Sequence, residues 1–177
     1  MMQAYWVDSP LGDIALRIEH EHLTGLFFVG QKYFPDMRFG PLRSDATPPA
    51  RLAQAQIEAY FAGRRQVFEL PLQLQGSAFE RAVWQQLATI PYGTVTSYGA
   101  IAKRLGLAVG YARAVGAAVG RNPLSIIIPC HRVLGASGQL TGYAGGVDRK
   151  QALLTLEAGA AGMRPEPTRQ AHAGARG

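Results

Sequence analysis

Hydrophobic and polar positions near the start of the chain follow the pattern of β-strands. Ile14, Leu16 and Ile18 alternate with small, basic and acidic residues, which is the two-residue period of a half-buried strand. The apolar stretch 23–29 predicts a partner strand. The first 35 residues therefore predict β structure.

The spacing of hydrophobic residues changes after these predicted strands. A polar stretch with several prolines and glycines predicts a loop over 35–49, and residues 51–62 have helical spacing, with Gly63 at the C-terminal end. A short alternation of leucines over 70–76 predicts a last strand that leads into a linker. Residues 1–76 thus predict an N-terminal domain that combines a small sheet with a helix.

The next part of the chain predicts a series of short helices. Ser77 and Glu80 have the spacing of a capping box, in which each side chain accepts a hydrogen bond from a free backbone N–H. Further helices are predicted over 98–105 and 111–119, joined by a turn with glycines. This order is that of a helix-turn-helix, although any corner between two helices produces the same pattern.

The remaining elements complete a second domain over 77–159. The apolar run 126–128 predicts a buried strand, 135–146 a glycine-rich loop, and 148–157 a final amphipathic helix. We expect an α+β fold, in which the small N-terminal sheet-and-helix domain precedes a mostly helical, winged-helix-like domain. The composition of 160–177, rich in Ala, Gly, Pro and Arg, predicts a disordered tail.

Composition narrows the class of protein. The chain has 177 residues, of which 47% are hydrophobic and 17% charged, which is typical of a folded domain and not of a disordered one. No apolar run approaches the length of a membrane helix, and the N-terminus lacks the features of a secretion signal. We therefore expect a cytoplasmic protein that does not bind membranes.

Charge is distributed unevenly between the two domains. Residues 1–76 carry a net charge of −1, and residues 77–177 carry +7. This excess favours a polyanionic partner, with nucleic acid as the first candidate, although a basic surface kept for solubility gives the same balance. The chain has one cysteine, so neither an internal disulfide nor a Cys-rich zinc site is expected.

That cysteine is the main candidate for chemistry. Cys130 follows an apolar run and a proline, and it directly precedes His131 and Arg132. These two residues and Arg121 predict an electropositive setting that favours the thiolate, and a neutral imidazole could accept the thiol proton. Glu157 or Asp148 could orient that imidazole. The alternative is a small buried cysteine with a structural role only.

The segment IPCHRV at 128–133 resembles the active-site signature of the O6-alkylguanine-DNA alkyltransferases, also called methylated-DNA–protein-cysteine methyltransferases. The similarity covers residues 77–159, and 1–76 fits the variable N-terminal domain of that family. Further matching segments are IPYG at 90–93, SYG at 97–99, ARAVG at 112–116, RNP at 121–123 and GYAGG at 142–146.

The resemblance implies a DNA repair protein that moves the alkyl group of O6-alkylguanine, or of O4-alkylthymine, to its own cysteine in a single turnover. It implies that Cys130 is the nucleophile and that His131 accepts its proton through a water. Glu157 would orient the imidazole, and Tyr98 would donate a hydrogen bond to the guanine ring as it departs. Asn122 would link its turn to the cysteine loop.

The resemblance also implies how DNA is bound. Arg113 would fill the space that the flipped base leaves in double-stranded DNA, on a helix that docks in the minor groove. Tyr111 and Ala112 lie at the start of that helix, and Arg121 and Ser97 are further candidate DNA contacts. The substrate pocket would contain Tyr143, Ala144, Gly145 and Val133. We expect a monomer that needs no metal and no cofactor.

Two other functions remain compatible with the residues themselves. One is a DNA-binding regulator in which Cys130 is structural or sensory, and the other is a Cys-His hydrolase with turnover. The adjacent cysteine and histidine disfavour the regulator, and the basic, glycine-rich helix corner disfavours the hydrolase.

Overall fold

A four-stranded sheet forms the first layer of the fold. The computed structural model describes residues 2–159 and 164–165. Three antiparallel strands have the order β3-β2-β1, and a short β4 pairs in parallel with β1 at the edge. The strands are β1 (Met2–Val7), β2 (Ile14–Glu19), β3 (His22–Phe28) and β4 (Gly40–Pro41).

One helix covers the apolar face of this sheet. Helix α1 (Pro48–Phe61) begins three residues before the predicted start, because proline is well suited to a first helical turn, whose N–H groups have no partner within the helix. Its buried residues include Ala53, Ile57 and Tyr60. The helix thus packs two alanines, Ala50 and Ala53, together with the larger Ile57 and Tyr60, against the rest of the core.

The strand predicted over 70–76 is wrong. In the structure this stretch makes only an isolated bridge between Leu72 and Leu23. Leu23 donates its N–H to the Pro71 carbonyl at 2.7 Å and accepts from Gln73 at 3.1 Å. Because Pro71 has no N–H to donate, the backbone pairing with β3 does not continue past Pro71 as a strand would.

The second domain is built from four helices, as its short apolar periods predict. Ser77 and Glu80 form both hydrogen bonds of the capping box that starts the first of them. The helix over 112–120 packs on the helix over 98–104 after a turn at Gly106, whose φ is +74°, and these two helices form the helix-turn-helix. The helices are α2 (Ala78–Leu87), α3 (Tyr98–Arg104), α4 (Ala112–Gly120) and α5 (Val147–Ala158).

The strand predicted over 126–128 is also wrong. Here the chain forms a series of tight turns, with Ile126 at a φ of +73° and Cys130 N–H bonded to the Ile128 carbonyl at 2.7 Å. A left-handed backbone is costly for a β-branched residue, so the surrounding contacts must impose it. The apolar run reflects burial at the domain boundary, because Ile126 and Ile128 are both in the core.

A small parallel sheet completes the second domain. Strand β5 (Thr94–Ser97) pairs with β6 (Val133–Leu134) on one side and with β7 (Arg164–Pro165) on the other. Apart from β7, the tail predicted to be disordered lies outside the described residues. The α+β fold class is confirmed. Within the described ranges, no helix has the length and apolar character needed to cross a membrane.

Candidate active site

Cys130 lies in a one-turn helix, Cys130–Arg132, directly after the tight turns. The Asn122 side chain holds this segment: its amide N–H donates to the Ile128 carbonyl at 2.7 Å, and its oxygen accepts from Leu124 N–H at 3.0 Å. Asn122 and Cys130 are both buried. The amide therefore ties the end of α4 to the cysteine loop.

A buried carboxylate organises the side chains next to the cysteine. Glu157, on α5, accepts a hydrogen bond from His131 Nε2 at 2.7 Å. It also accepts two from Arg132, whose Nε and Nη2 lie 2.7 and 2.9 Å from the two carboxylate oxygens. These donors lower the pKa of Glu157 against the opposing effect of burial, so the carboxylate is ionised.

The ionised carboxylate fixes the tautomer of His131. Because a carboxylate can only accept, His131 Nε2 must carry the proton of that hydrogen bond. Burial lowers the pKa of His131, which keeps the ring neutral and leaves Nδ1 with a free lone pair. Nδ1 is buried and has no hydrogen-bond partner among the described residues. It is therefore the atom able to accept a proton.

The thiol itself differs from the sequence-based expectation. Burial raises the pKa of Cys130 to about 11, although the Asn122 amide and Lys150 act in the opposite direction. The predicted electropositive setting is wrong, because Arg132 is neutralised by Glu157 and the Arg121 guanidinium lies beside the Tyr33 ring instead. The cysteine is a protonated thiol at neutral pH, and it needs a base to become a nucleophile.

A cavity of about 340 Å³ lies between the helix-turn-helix and the glycine-rich loop. Tyr98 lies at its wall, and its hydroxyl oxygen accepts a hydrogen bond from Thr141 at 3.2 Å, which leaves the Tyr98 proton free for donation. Gly116 of α4 faces the Tyr98 ring, where a Cβ would lie 3.6 Å from the ring. The cavity is lined by Lys32, Tyr33, Tyr98, Gly116, Ala117, Gly120, Thr141, Gly142, Tyr143 and Ala144.

Both domains of the chain match family models. The model of the 6-O-methylguanine DNA methyltransferase DNA-binding domain matches residues 78–159, and that of the ribonuclease-like domain of the same proteins matches residues 2–74. The chain belongs to this methyltransferase family. Among curated relatives, the methylated-DNA–protein-cysteine methyltransferase of Mycolicibacterium paratuberculosis is 50% identical over 89% of this chain and 93% of its own length. That of Methanosarcina acetivorans is 43% identical over 85% and 94%.

Solved structures of methyltransferases share the fold. The crystal structure of the Mycobacterium tuberculosis O6-methylguanine methyltransferase has a TM-score of 0.78 and 46% identity, and it covers 89% of this chain and 93% of its own. The Mycobacterium tuberculosis protein OGT in complex with DNA has a TM-score of 0.79 and 45% identity, with 88% and 92% covered. The second of these structures shows a relative bound to DNA.

The residues expected to contact DNA lie at the ends of the two helices of the methyltransferase's helix-turn-helix. Tyr111, Ala112 and Arg113 lie at the start of α4, where Tyr111 and Arg113 are exposed. Arg121 follows the end of that helix and is exposed as well. Ser97 caps α3, because its hydroxyl accepts the Ala100 N–H at 3.1 Å.

Two of the predicted pocket residues, Val133 and Gly145, do not line the cavity. Val133 is fully buried in β6, where it pairs with Thr96 of β5. At Gly145 a Cβ would lie 2.9 Å from the Phe28 ring and closer still to Tyr143, so this glycine permits close packing. Tyr143 and Ala144 line the cavity itself.

Sequence reasoning missed two residues of the site. Tyr60, from α1 of the N-terminal domain, donates a hydrogen bond to Glu157 at 2.6 Å. Lys150 is fully buried and donates to the Thr141 carbonyl at 2.9 Å, and burial lowers its pKa to about 8. The sequence contains no signal for the Tyr60 contact, whereas a lysine within the amphipathic helix predicted over 148–157 was an available signal for Lys150.

Proposed function

We propose that this protein repairs DNA by transferring the alkyl group from O6 of an alkylated guanine to the Sγ atom of its own Cys130. The observation that carries the proposal is the buried thiol of Cys130, next in the chain to a buried His131 whose ring is hydrogen-bonded to Glu157. That pair supplies a neutral base with a fixed tautomer, which is what a thiol with a raised pKa requires. O4-alkylthymine is the second substrate that we propose.

In the reaction that we propose, each of these side chains has one role. His131 Nδ1 takes the Cys130 proton, relayed by a water, while Glu157 stabilises the imidazolium that forms. The Cys130 sulfur attacks the alkyl carbon, the bond from that carbon to O6 breaks, and the electron pair stays on the guanine. Tyr98 donates its free proton in a hydrogen bond to the guanine ring as the charge develops. The product is a thioether, which has no carbonyl for water to attack, so each chain reacts once.

We further propose that α4 enters the minor groove and that the damaged base leaves the duplex to reach the cavity. Arg113 would occupy the space that the base vacates, since it is exposed at the start of α4. The small residues Gly116, Ala117 and Gly120 allow close approach of the flipped base to this helix. The protein would act as a monomer in the cytoplasm.

Counting methyl groups under excess substrate tests this proposal. A duplex with one O6-methylguanine is added in tenfold excess, and the lesions removed per protein chain are measured until the reaction stops. We expect a plateau of one for the wild type and none for Cys130→Ser, because a neutral alcohol is a much weaker nucleophile. Continued turnover would indicate a hydrolase, and binding without any transfer would indicate a regulator; either result would contradict the proposal.

A further inference from the structure

The N-terminal domain contributes to the wall of the candidate substrate cavity. The turn over residues 28–34, which follows β3, brings Lys32 and Tyr33 to the cavity that Tyr98 and the small residues of α4 also line. None of the roles assigned above includes these two residues. Because they line the cavity, both residues would contact a molecule that enters it.

A buried amide shapes the 28–34 turn. Gln31 accepts the Phe28 N–H on its side-chain oxygen at 2.8 Å and donates its side-chain N–H to the Lys32 carbonyl at 3.1 Å. Tyr33 then has a φ of +61°, a left-handed conformation that is costly for a residue with a side chain. The turn thus holds a tyrosine where glycine would be more stable.

The same turn is attached to the glycine-rich loop of the site. Lys32 donates its backbone N–H to the Ala144 carbonyl at 3.0 Å. Arg149 strengthens this junction, because its guanidinium lies 4.7 Å from the Phe28 ring centre and donates to the Gly145 carbonyl at 3.0 Å. The position of Tyr33 relative to the cavity is therefore fixed by the hydrogen bonds of Gln31 within the turn and by the hydrogen bond from Lys32 to the glycine-rich loop.

Two cations lie beside the Tyr33 ring. The Lys32 ammonium is 5.1 Å and the Arg121 guanidinium 5.9 Å from the ring centre, while the tyrosine is 54% exposed. Aromatic rings stack on nucleobases or pack against their sugars, and exposed cations pair with phosphates. At the cavity proposed for the base, the exposed ring can therefore contact the base or sugar of a nucleotide, and the two cations beside it can contact the phosphates of that nucleotide.

We propose that Tyr33 packs against the flipped nucleotide and that Lys32 pairs with a phosphate next to it, so that the N-terminal domain completes the substrate site. This inference rests on the proposed function, because it requires a base that leaves the duplex. It also explains the strained backbone: the left-handed conformation is kept because it presents the ring to the cavity.

The substitution Tyr33→Gly separates this role from a structural one. Glycine removes the ring and relieves the strain at φ +61°, so we expect a melting temperature equal to or above that of the wild type. We expect the transfer rate with sub-saturating O6-methylguanine duplex to fall about tenfold, the loss typical of one aromatic contact to a base. Tyr33→Phe keeps the ring and should react within twofold of the wild type.

Lys32→Ala tests the phosphate contact, with Arg38→Ala as the matched control. Arg38 is an exposed cation that follows the same turn but does not line the cavity. For Lys32→Ala we expect the dependence of the duplex rate on salt concentration to weaken by about one unit on a log–log plot. The rate with the free base O6-benzylguanine, which has no phosphate, should not change. Arg38→Ala should leave the salt dependence as in the wild type.

Three results would overturn the inference. The first is a duplex transfer rate for Tyr33→Gly within twofold of the wild type, and the second is a melting temperature of Tyr33→Gly below that of the wild type together with an equal loss of transfer rate in Tyr33→Phe. The third is an equal change in the salt dependence of the rate in Lys32→Ala and Arg38→Ala. Failure of the proposed function is a different result, because the wild type itself would then transfer no methyl group to Cys130.

Discussion

The hydrogen bond between Tyr60 and Glu157 joins the N-terminal domain to the candidate active site, and Tyr60→Phe removes it with little other change. Phenylalanine keeps the ring contacts with Phe61, Phe68 and Tyr92. The deleted group is a hydroxyl that donates to a buried, ionised carboxylate at 2.6 Å. The perturbation is therefore one charge-assisted hydrogen bond.

The expected size of the effect follows from what remains around the carboxylate. A hydrogen bond to a charged group contributes about 1.5–3 kcal/mol to stability. Because Glu157 keeps three donor contacts from His131 and Arg132, it is not left without partners, so we expect the lower part of this range. A loss of about 2 kcal/mol lowers the melting temperature of a chain of this size by about 4–8 °C.

Urea unfolding of the wild type and of Tyr60→Phe measures this loss. Tyr5→Phe is the matched control, since Tyr5 is partly buried and its hydroxyl has no hydrogen bond within the described residues. We expect the control to change the free energy of unfolding by less than about 0.5 kcal/mol. We expect the transfer rate at saturating DNA to fall less than tenfold in Tyr60→Phe, because the two Arg132 contacts still orient the carboxylate. Equal stability of the two variants would refute the reasoning.

Three further predictions concern the reaction itself. Tyr98→Phe should slow transfer at saturating DNA with almost unchanged binding, since it removes the proposed hydrogen bond to the leaving guanine and, besides that, only the Thr141 contact at 3.2 Å; an unaltered single-turnover rate would count against that role. Arg113→Ala should slow repair of base-paired O6-methylguanine much more than reaction with the free base, which needs no unstacking, and equal slowing of both would exclude a part in base flipping. Without DNA, alkylation of Cys130 by iodoacetamide should accelerate about tenfold per pH unit between pH 7 and 9.5, because a pKa of about 11 keeps the thiol mostly protonated over this whole range; a plateau below pH 9 would contradict this.

Features of the site that depend on neighbours in the chain could be predicted from the sequence. The capping box at Ser77 and the turn at Gly106 depend on a few consecutive residues, so the start of α2 and the helix-turn-helix were predicted correctly. Cys130 and His131 are adjacent in the chain, and their proximity needs no knowledge of the fold. Local chemistry is thus enough to propose Cys130 as the nucleophile and His131 as its base.

Features that depend on distant parts of the chain could not be predicted in this way. Tyr60 and Glu157 are 97 positions apart, and only packing of α1 against the second domain brings them together. The same burial raises the pKa of Cys130, whereas a count of nearby basic residues predicts the opposite. The apolar run at 126–128 indicated burial correctly, but burial alone does not distinguish a strand from a tight turn.

Peptide mapping after reaction with DNA tests the central claim most directly. Trypsin cleaves after Arg121 and Arg132, so the single cysteine of the chain lies in the peptide 122–132. After incubation with a duplex that contains O6-methylguanine, we predict that this peptide gains one methyl group on the Cys130 sulfur and that the DNA regains unmodified guanine in equal amount. A restored guanine with an unmodified Cys130, or a methyl group on any other residue, would contradict the account.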